Sequence, residues 1–492
     1  MTLLRSLRAY DSPTLLAASP WRLLLPRLAE EARDHAPGSI EAELLSTVKA
    51  LDRPPAAVAD AGLPLVSVVV TLFDCAPHVA SCLASLKAQT YPAVEVILVD
   101  DCSRDDTWEV ARALAGSFAD VTVLRTQRNA GTYVAKNLGL TRVRGRYVTF
   151  QDCDDLSHPM RIAKQVAALR ADPARVASSC HYARIDEDSG ELLLNRAERS
   201  RAGLISLMID WPRVRDAVGY FDCVRVNADD EFKTRIRRVF GPAALCELAD
   251  CHYYALLRSD GLTMSGHTAN NIGSTELRHF LAPVRQRYTE SFLQWHRQAE
   301  PASLVIEFPT LRRPFPAPVS IDAFHGARFT ANALMIDHTQ ADVLARRPLG
   351  GFTRRFFDQV VLFNDAADPS PGLQSTSGSS LDGIPVHVLT RQSSTDRTLK
   401  ALADILGGGA VLMLDRAEDL AGLGQDRLRR AMYTMMGERP RPVAVAFDDH
   451  AAAYLPLETL DVAGTRFDAE GDDLIRAGTL ALLAAGGRLH FG

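Results

Sequence analysis

Blocks of apolar residues with two different periods follow one another between positions 64 and 152. A continuous apolar, β-branched run at 65–71 is typical of a strand buried on both faces of a sheet. The pattern then predicts strands at 94–99, 121–124 and 146–150, separated by helices at about 77–89, 105–115 and 132–143. Strands that alternate with helices predict an α/β fold with a parallel sheet and right-handed crossovers. Ligands of such sheets bind beyond the carboxyl ends of the strands, where three polar clusters of this chain fall.

The flanking regions follow other patterns. Residues 1–62 have leucine-rich stretches broken by prolines and predict an N-terminal helical segment. Its stretch at 21–28 fits either the surface of a membrane or a packed interface with the following domain, and we favour packing. The first α/β domain is expected at 63–270, a helical linker at 271–301 and a C-terminal α/β domain at 302–492.

Composition narrows the class of protein. A chain of 492 residues predicts two or three domains, and 47% hydrophobic with 23% charged residues is a globular composition. The net charge of −5 argues against a nucleic-acid binder. The eight cysteines form no CxxC pair, and neither a signal peptide nor a run of about 18 apolar residues is recognised. We therefore expect a cytoplasmic protein, at most peripheral at the inner face of the membrane.

The segment Gln151-Asp152-Cys153-Asp154-Asp155 is the strongest chemical signal. Three carboxylates within four residues repel one another, so a strand end tolerates them best with a counter-charge. A divalent cation such as Mn²⁺ or Mg²⁺ suits carboxylate oxygens. An acidic loop, or the N-cap of a helix starting near Ser157, is an equally good interpretation of the cluster taken alone.

Four motifs in order give the first domain a family resemblance. They are the strand at 66–71, Leu98-Val99-Asp100-Asp101-Cys102-Ser103, Asn129-Ala130-Gly131-Thr132-Tyr133-Val134-Ala135-Lys136-Asn137-Leu138-Gly139, and the aspartate cluster. Over about residues 64–265 the chain resembles glycosyltransferase family 2. The resemblance implies a GT-A type fold, a nucleotide-sugar donor, with a UDP-sugar favoured, and a bound Mn²⁺ or Mg²⁺.

The resemblance also implies roles for individual residues. Thr71 and Asp101 would contact the nucleotide base, with Asp100 nearby. Lys136 would face the diphosphate, where a compact positive charge suits phosphate. Asp152 would hold the ribose and Asp154 the metal. Asn129 and Gly131 would either contact the ligand or only shape their loop.

Sugar transfer also needs a base for the acceptor hydroxyl. Asp229, in Asn227-Ala228-Asp229-Asp230-Glu231, matches the family's acidic position, and Asp230 and Glu231 are adjacent alternatives. Acids favoured by a helix dipole are the structural interpretation of the same segment. His252 lies where some members of the fold supply a metal ligand, although a lone histidine near a strand is more often structural. The loop at 261–265 resembles the one that ends the family's catalytic domain.

The chain departs from the family pattern at two points, and two other functions compete with the one that the family implies. Asp74 replaces the usual asparagine after the first strand, and no Q-x-x-R-W motif is present. A sugar-nucleotide pyrophosphorylase is disfavoured because no glycine-rich loop follows the first strand. We expect an inverting, metal-dependent transferase that moves a sugar to a glycan or lipid-linked acceptor in bacterial surface or capsular polysaccharide synthesis. The alternative is a non-catalytic scaffold within a glycan-assembly complex.

The C-terminal half contains a sequence pattern similar to one in the first domain. Val360–Asp365 resembles Val96–Asp101, and the spacing to the next apolar runs, 386–389 and 411–415, is similar. We therefore predict a second, degenerate domain of the same fold at 302–492, catalytically silent and serving acceptor binding or assembly. Its phosphate loop is replaced by Arg391–Thr395, and Asp415–Asp419 keeps acids without the spacing.

Overall fold

The structure is a computed structural model that describes most of the N-terminal two thirds of the chain and the main elements of the remainder. The described residues are 12–53, 62–116, 120–195, 198–258, 270–273, 276–279, 282–310, 313–325, 332–337, 356–364, 380–381, 384–390, 402, 406, 410–414, 423–437, 443–447, 452–456 and 488–491. The chain divides into two compact units. One comprises Met1–Ile306 with Arg313–Phe324, and the other comprises Glu307–Arg312 with His325–Gly492.

The first unit alternates strands and helices over the family-like region. The strands are β1 (Val66–Leu72), β2 (Val94–Asp100), β3 (Val121–Arg125), β4 (Tyr147–Asp152), β5 (Leu156–Ser157), β6 (Ala177–Asp186), β7 (Leu192–Asn195), β8 (Arg201–Ala202), β9 (Met208–Asp210), β10 (Leu245–Leu257), β11 (Asn270–Gly273) and β12 (Glu276–His279). The helices are α1 (Ser12–Ala17), α2 (Pro20–Leu23), α3 (Leu25–Glu31), α4 (Ile40–Lys49), α5 (Val79–Lys87), α6 (Thr107–Ala115), α7 (Thr132–Leu140), α8 (Arg161–Arg170), α9 (Trp211–Ala217), α10 (Ala228–Phe240) and α11 (Pro283–Gln298).

Strand β1 lies at the centre of the parallel part of the sheet. Every residue of β1 is buried, and it pairs in parallel with β2 on one side and β4 on the other. The strand order is β11-β12-β7-β6-β9-β4-β1-β2-β3, with β10 paired to β6. The register sets Thr71 of β1 beside Asp152 of β4, so the polar residues that follow these strands meet at one edge of the sheet. The predicted α/β fold with a mostly parallel sheet is confirmed.

The N-terminal helices pack on this unit. Trp21, Leu24 and Leu28 are buried in a cluster that includes Leu156 and Tyr254. Burial of three large apolar side chains stabilises this packing by several kcal/mol, at roughly 1.5–3 kcal/mol each. Three apolar side chains of this stretch therefore pack on the unit, whereas Leu23 is 70% exposed. Within the described residues, no helix is long and apolar enough to cross a membrane.

The prediction of a helical linker at 271–301 was wrong for its first part. Strands β11 (Asn270–Gly273) and β12 (Glu276–His279) pair in antiparallel fashion, and the helix begins only at Pro283. The sequence Asn270-Asn271-Ile272-Gly273 is poor in helix-forming residues, since asparagine and glycine both favour turns. Helix α11 then buries Tyr288, Phe292 and His296 within the first unit.

The second unit has a sheet of its own with the same connectivity. Its strands are β13 (Asn332–Asp337), β14 (Gln359–Asn364), β15 (Ser380–Leu381), β16 (Ile384–Thr390), β17 (Ala410–Leu414), β18 (Val443–Phe447), β19 (Ala452–Pro456) and β20 (Arg488–Phe491), with one helix at Gln425–Gly437, α12, among the described residues. The order is β15-β16-β14-β13-β17-β19-β18-β20. The segments at 365, 391–395 and 415–419 named above lie outside the described residues.

The shared connectivity supports the hypothesis of a second domain of the same fold. The path β3-β2-β1-β4-β9-β6-β10 in the first unit corresponds, strand for strand, to β16-β14-β13-β17-β19-β18-β20 in the second. Neighbours along both paths are parallel through the fourth strand, antiparallel at the next two pairs and parallel at the last. Two unrelated α/β domains could have similar strand lengths by chance, but they would not need to share the same strand order and the same strand directions.

Candidate active site

Two adjoining cavities open at the carboxyl ends of β1 and β4. Each has a volume of about 330 Å³, and both are lined by Thr132 and Asp152. The first cavity also contains Thr71, Phe73 and Asp154, and we call it the donor cavity. The second contains Lys136, Asp229 and Asp230, and we call it the acceptor cavity. The structure thus brings Thr71, Asp152, Asp154, Lys136 and Asp229 to one continuous region.

The aspartate loop after β4 is fixed through its backbone. The amide of Asp152 donates to the hydroxyl of Tyr253 (3.1 Å), which itself donates to the carboxylate of Asp155 (2.8 Å). The indole Nε1 of the buried Trp21 donates to the carbonyl of Asp154 at 2.7 Å. Asp155 is buried and also accepts from the amide of Leu256 (2.9 Å). Asp155 therefore ties the loop to β10 instead of capping the next helix.

The two aspartates that face the cavities differ in their surroundings. Asp152 has 38% of its side chain exposed, accepts a hydrogen bond from Thr71 (3.4 Å) and lies 3.5 Å from Nζ of Lys136. Burial, reinforced by the charge of Asp152, raises the pKa of Asp154 to about 6. The positive charge of Arg258, whose Nη1 lies 3.6 Å from Oδ2 of Asp154, lowers this pKa in part. The two ionised carboxylates repel each other, so binding of a positive charge next to them is favourable.

A divalent cation fits this donor set. Within the described residues, no group of three or more His, Cys, Asp or Glu side chains is arranged to hold a metal alone. Mg²⁺ and Mn²⁺ suit oxygen ligands, and Mg²⁺ is commonly held by one or two carboxylates together with substrate phosphates and water. Asp154, with Asp152 in the same cavity, provides this smaller set.

Asp100 and Asp101 lie just behind the site, and neither lines the two cavities. Asp101 accepts from the amides of Ala130 (2.9 Å) and Gly131 (2.7 Å). Asp100 is fully buried and pairs with Nε of Arg125 at 2.9 Å. Burial raises the pKa of both carboxyl groups, and these partners lower it in part. In this structure Asp101 organises the loop that leads into α7 and Asp100 holds Arg125, and a contact of Asp101 with the nucleotide base stays a prediction.

The loop before α7 is held by an arginine. Nη1 of Arg225 donates to the side-chain oxygen of Asn129 (2.6 Å), and Nη2 donates to its carbonyl (2.7 Å). Gly131 has φ +95, a conformation that favours glycine, and a Cβ there would lie 3.3 Å from Cγ of Arg225. These contacts match the loop-shaping alternative for both residues.

Asp229 lies in the first turn of α10 and lines the acceptor cavity. The hydroxyl of Tyr133 donates to its Oδ1 at 2.7 Å. Asp230 lines the same cavity, and burial together with Asp229 raises the pKa of Asp230. Glu231 points away, fully buried between Arg235 and His296. Of the three neighbouring acids, Glu231 is therefore part of the core, and Asp229 and Asp230 face the cavity.

His252 is not brought to the donor cavity. Its ring lies against that of His158, with centroids 4.7 Å apart, and the side chain is buried. Burial and the neighbouring His158 lower the pKa of His252 to about 4. Its surroundings match those of a structural histidine, and metal ligation by His252 stays a prediction without support from the geometry.

The sequence interpretation missed several side chains at the site. Phe73 follows β1, has 38% of its surface exposed and lines the donor cavity, with the Arg104 guanidinium 5.4 Å from its ring. Asp74 has φ 45 and accepts from the backbone amide of Arg104 (2.8 Å), so the aspartate in place of the usual asparagine keeps a turn-forming role. An exposed aromatic residue directly after a buried strand was the available signal for Phe73.

Comparison with known proteins finds a family match within the first unit. Residues 67–231 match the model of Glycosyl transferase family 2. Relatives include the glycosyltransferase GlyG of Streptococcus pneumoniae, 32% identical over 126 residues that cover 26% of this chain and 42% of GlyG. Another is the UDP-Glc:alpha-D-GlcNAc-diphosphoundecaprenol beta-1,3-glucosyltransferase WfaP of Escherichia coli, 28% identical over 120 residues that cover 24% of this chain and 47% of WfaP. The chain thus spans less than half the length of these curated relatives.

Similar solved structures include that of the mannosyltransferase PcManGT from Pyrobaculum calidifontis, in complex with GDP-Man and Mn²⁺. The match has a TM-score of 0.33 and 22% sequence identity, and it covers 49% of this chain and 70% of PcManGT. The family model alone identifies residues 67–231 as a glycosyltransferase family 2 domain.

Proposed function

From the glycosyltransferase family 2 domain formed by residues 67–231, we propose that this chain transfers a sugar from a nucleotide-diphosphate donor to a hydroxyl acceptor, with inversion. One observation carries the proposal. The donor and acceptor cavities adjoin at Asp152 and Thr132, and the candidate base Asp229 lines only the acceptor cavity.

The donor cavity suits a nucleoside diphosphate. The partly exposed ring of Phe73 offers a face for a base, and Thr71 and Asp152 offer polar contacts. Lys136 is 11% exposed, and its Nζ lies 5.6 Å and 5.7 Å from the ring centroids of Tyr133 and Phe150. Although Lys136 lines the acceptor cavity, its Nζ reaches to 3.5 Å from Asp152, which lines both cavities. Asp154, assisted by Asp152, would hold Mn²⁺ or Mg²⁺, which neutralises charge on the departing diphosphate. A UDP-sugar is the favoured donor.

The acceptor cavity supplies the base. Asp229 takes the proton of the acceptor hydroxyl as that oxygen bonds to the anomeric carbon. The bond from this carbon to the diphosphate oxygen breaks, and its electron pair leaves with the diphosphate. Attack from the Asp229 side, opposite the diphosphate, inverts the anomeric configuration. The electrostatic contribution of Lys136 is largest when negative charge develops on the leaving oxygen.

The acceptor is expected to be a glycan or lipid-linked sugar in bacterial surface or capsular polysaccharide synthesis. The relative WfaP, whose name specifies a diphosphoundecaprenol-linked acceptor, supports this choice. The second unit would serve acceptor binding or assembly.

The test is turnover of a panel of UDP- and GDP-sugars with Mn²⁺, with and without EDTA. We expect Asp229→Asn to reduce the rate at least about a hundredfold, the usual contribution of a positioned base. Asp216→Asn, an exposed acid on the neighbouring helix α9, is the matched control and should keep full rate. Binding of the donor without any turnover in the wild type would favour the scaffold alternative.

A further inference from the structure

Four positive side chains line the acceptor cavity in addition to Lys136. Arg184 of β6, Arg201 of β8, Lys233 of α10 and Arg285 of α11 all line it. These residues come from four separate elements, so their convergence is a property of the fold and not of one basic segment. Lys233 and Arg285 lie beyond the part of the chain that the family model covers.

Cations outnumber acids in this lining. With Lys136, five cations line the cavity, against the four acids Asp152, Asp229, Asp230 and Glu247. Glu247 already pairs with Arg237 at 3.1 Å, and Arg237 is not part of the lining. Burial and Asp229 raise the pKa of Asp230, and the charges of Lys233, Arg285 and Arg201 lower it.

Two of the guanidinium groups have unused hydrogen-bonding capacity. Nε of Arg184 and Nε of Arg285 are buried, and neither has a hydrogen-bond partner within the described part of the chain. Leaving a buried donor of a charged group unpaired is costly, and such donors commonly mark the position of a ligand. A guanidinium group is suited to a planar carboxylate or to phosphate oxygens.

The donor's diphosphate does not explain this cluster. Arg201, Lys233 and Arg285 line the acceptor cavity and are absent from the donor cavity that contains Asp154. Arg184 lines both cavities, so it alone is shared between the two substrates. The remaining three cations lie on the side of the proposed base, where the acceptor would enter.

We propose that the acceptor carries an anionic group, a phosphate or a carboxylate, close to the hydroxyl that is glycosylated. Arg201, Lys233 and Arg285 bind that group and orient the hydroxyl toward Asp229. This inference rests on the proposed function and adds the chemical class of the acceptor to it.

The experiment measures binding of small sugars to the full chain in the presence of UDP and Mn²⁺, by isothermal titration. The probes are glucose 1-phosphate, methyl glucuronide and the neutral methyl glucoside. We expect a charged probe to bind at least about tenfold more tightly than the neutral one, as charge-assisted hydrogen bonds allow. Preference for glucose 1-phosphate identifies phosphate as the group, and preference for methyl glucuronide identifies carboxylate.

Variants separate this site from the donor site. Lys233→Gln and Arg201→Gln should each remove most of the preference for the charged probe and leave UDP binding unchanged. Lys164→Gln, a surface lysine paired with Asp250 outside both cavities, is the matched control. Equal affinity for charged and neutral probes, no binding of the charged probes, or an unchanged preference in both variants would each overturn the inference. A failure of UDP to bind would instead overturn the proposed function.

Discussion

The hydroxyl of Tyr133 donates a 2.7 Å hydrogen bond to Oδ1 of Asp229 and joins α7 to α10. Tyr133 lies on α7 one turn before Lys136, Asp229 lies in the first turn of α10, and all three line the acceptor cavity. Burial and the neighbouring Asp229 raise the pKa of Tyr133 well above its ordinary value, so the phenol keeps its proton and remains a donor. The orientation of the proposed base therefore depends on α7, the helix that also carries Lys136.

Tyr133→Phe should slow transfer without weakening donor binding. The ring still fills its place, but the carboxylate of Asp229 loses the contact that orients it. Loss of a hydrogen bond of this kind lowers kcat by about tenfold, equivalent to about 1.4 kcal/mol. Steady-state kinetics and titration with UDP check both parts. Tyr91→Phe is the control, since it removes a buried phenol that donates to the carbonyl of Pro64. Equal rates in the two variants would contradict the role of Tyr133.

Trp21→Phe should weaken metal-dependent donor binding. Its indole reaches Asp154 from outside the matched family segment, and the phenylalanine ring retains most of the packing but donates no hydrogen bond. The carbonyl of Asp154 then lacks this partner, and the loop holds the carboxylate less firmly. A loss of about 1 kcal/mol raises the dissociation constant for a UDP-sugar with Mn²⁺ about fivefold.

The control for this variant is Trp211→Phe, which alters a buried tryptophan that packs edge-on against Tyr220. Isothermal titration gives the affinities, and thermal unfolding shows whether both variants lose similar stability. The same UDP-sugar affinity in the two variants would show that Trp21 only packs.

Metal-dependent donor binding should weaken as pH falls through about 6. The pKa of Asp154 is raised to about 6, so the carboxylate that would hold the cation is increasingly protonated below this value. Protonation and metal binding compete for the same oxygen atoms, and affinity falls as the proton wins. The measurement is titration of a UDP-sugar with Mn²⁺ from pH 5 to 8. A UDP-sugar is preferable to UDP, whose terminal phosphate itself titrates near a pH of about 6.

Asp154→Asn is the variant for the pH experiment. It should show weak donor binding at every pH and no dependence on Mn²⁺, because an amide cannot replace the charged ligand. A wild-type affinity that stays constant from pH 5 to 8 would exclude Asp154 as the group responsible.

The elements around the donor cavity were predictable because their signal is local. A strand buried on both faces requires an uninterrupted apolar run, and β1 at Val66–Leu72 begins and ends within one residue of the predicted strand. The hairpin of β11 and β12 was not predictable in this way, since it depends on pairing of β12 with β7, about 80 residues earlier in the chain.

The direction in which a side chain points was the harder problem at the site. Asp101 follows the end of β2 and Asp152 is the last residue of β4, but Asp101 turns to the amides of Ala130 and Gly131, whereas Asp152 faces the cavities. A sequence motif shows that a carboxylate is present, but it does not show which groups that carboxylate faces. Trp21 was unrecognisable as part of the site because its contact with Asp154 spans 133 residues and no local pattern reports it.

Glu231→Gln should strongly destabilise the first unit. Glu231 and Arg235 are both fully buried, and Arg235 also donates to the carbonyl of Tyr220 (2.8 Å), while His296 contacts Glu231 at 2.9 Å. Removing the negative charge leaves the guanidinium buried without its counter-charge, which costs about 3–5 kcal/mol. Urea unfolding followed by tryptophan fluorescence measures this, because the four tryptophans, at positions 21, 108, 211 and 295, all lie in the first unit.

The effect of Glu231→Gln should also depend on pH. Burial alone would raise the pKa of Glu231, but Arg235 and His296 outweigh it and hold the pKa below the ordinary 4.5. A carboxyl group with a depressed pKa stabilises the fold above its unfolded pKa, and this contribution is lost as pH falls through the folded value. The difference in the free energy of unfolding between wild type and variant should therefore be largest at pH 7 and shrink below a pH of about 4.5.

The control is Glu247→Gln, which removes the half-exposed partner of Arg237 and should cost less than about 1 kcal/mol at any pH. Equal losses in the two variants at pH 7 would show that the buried pair contributes no more than a surface one.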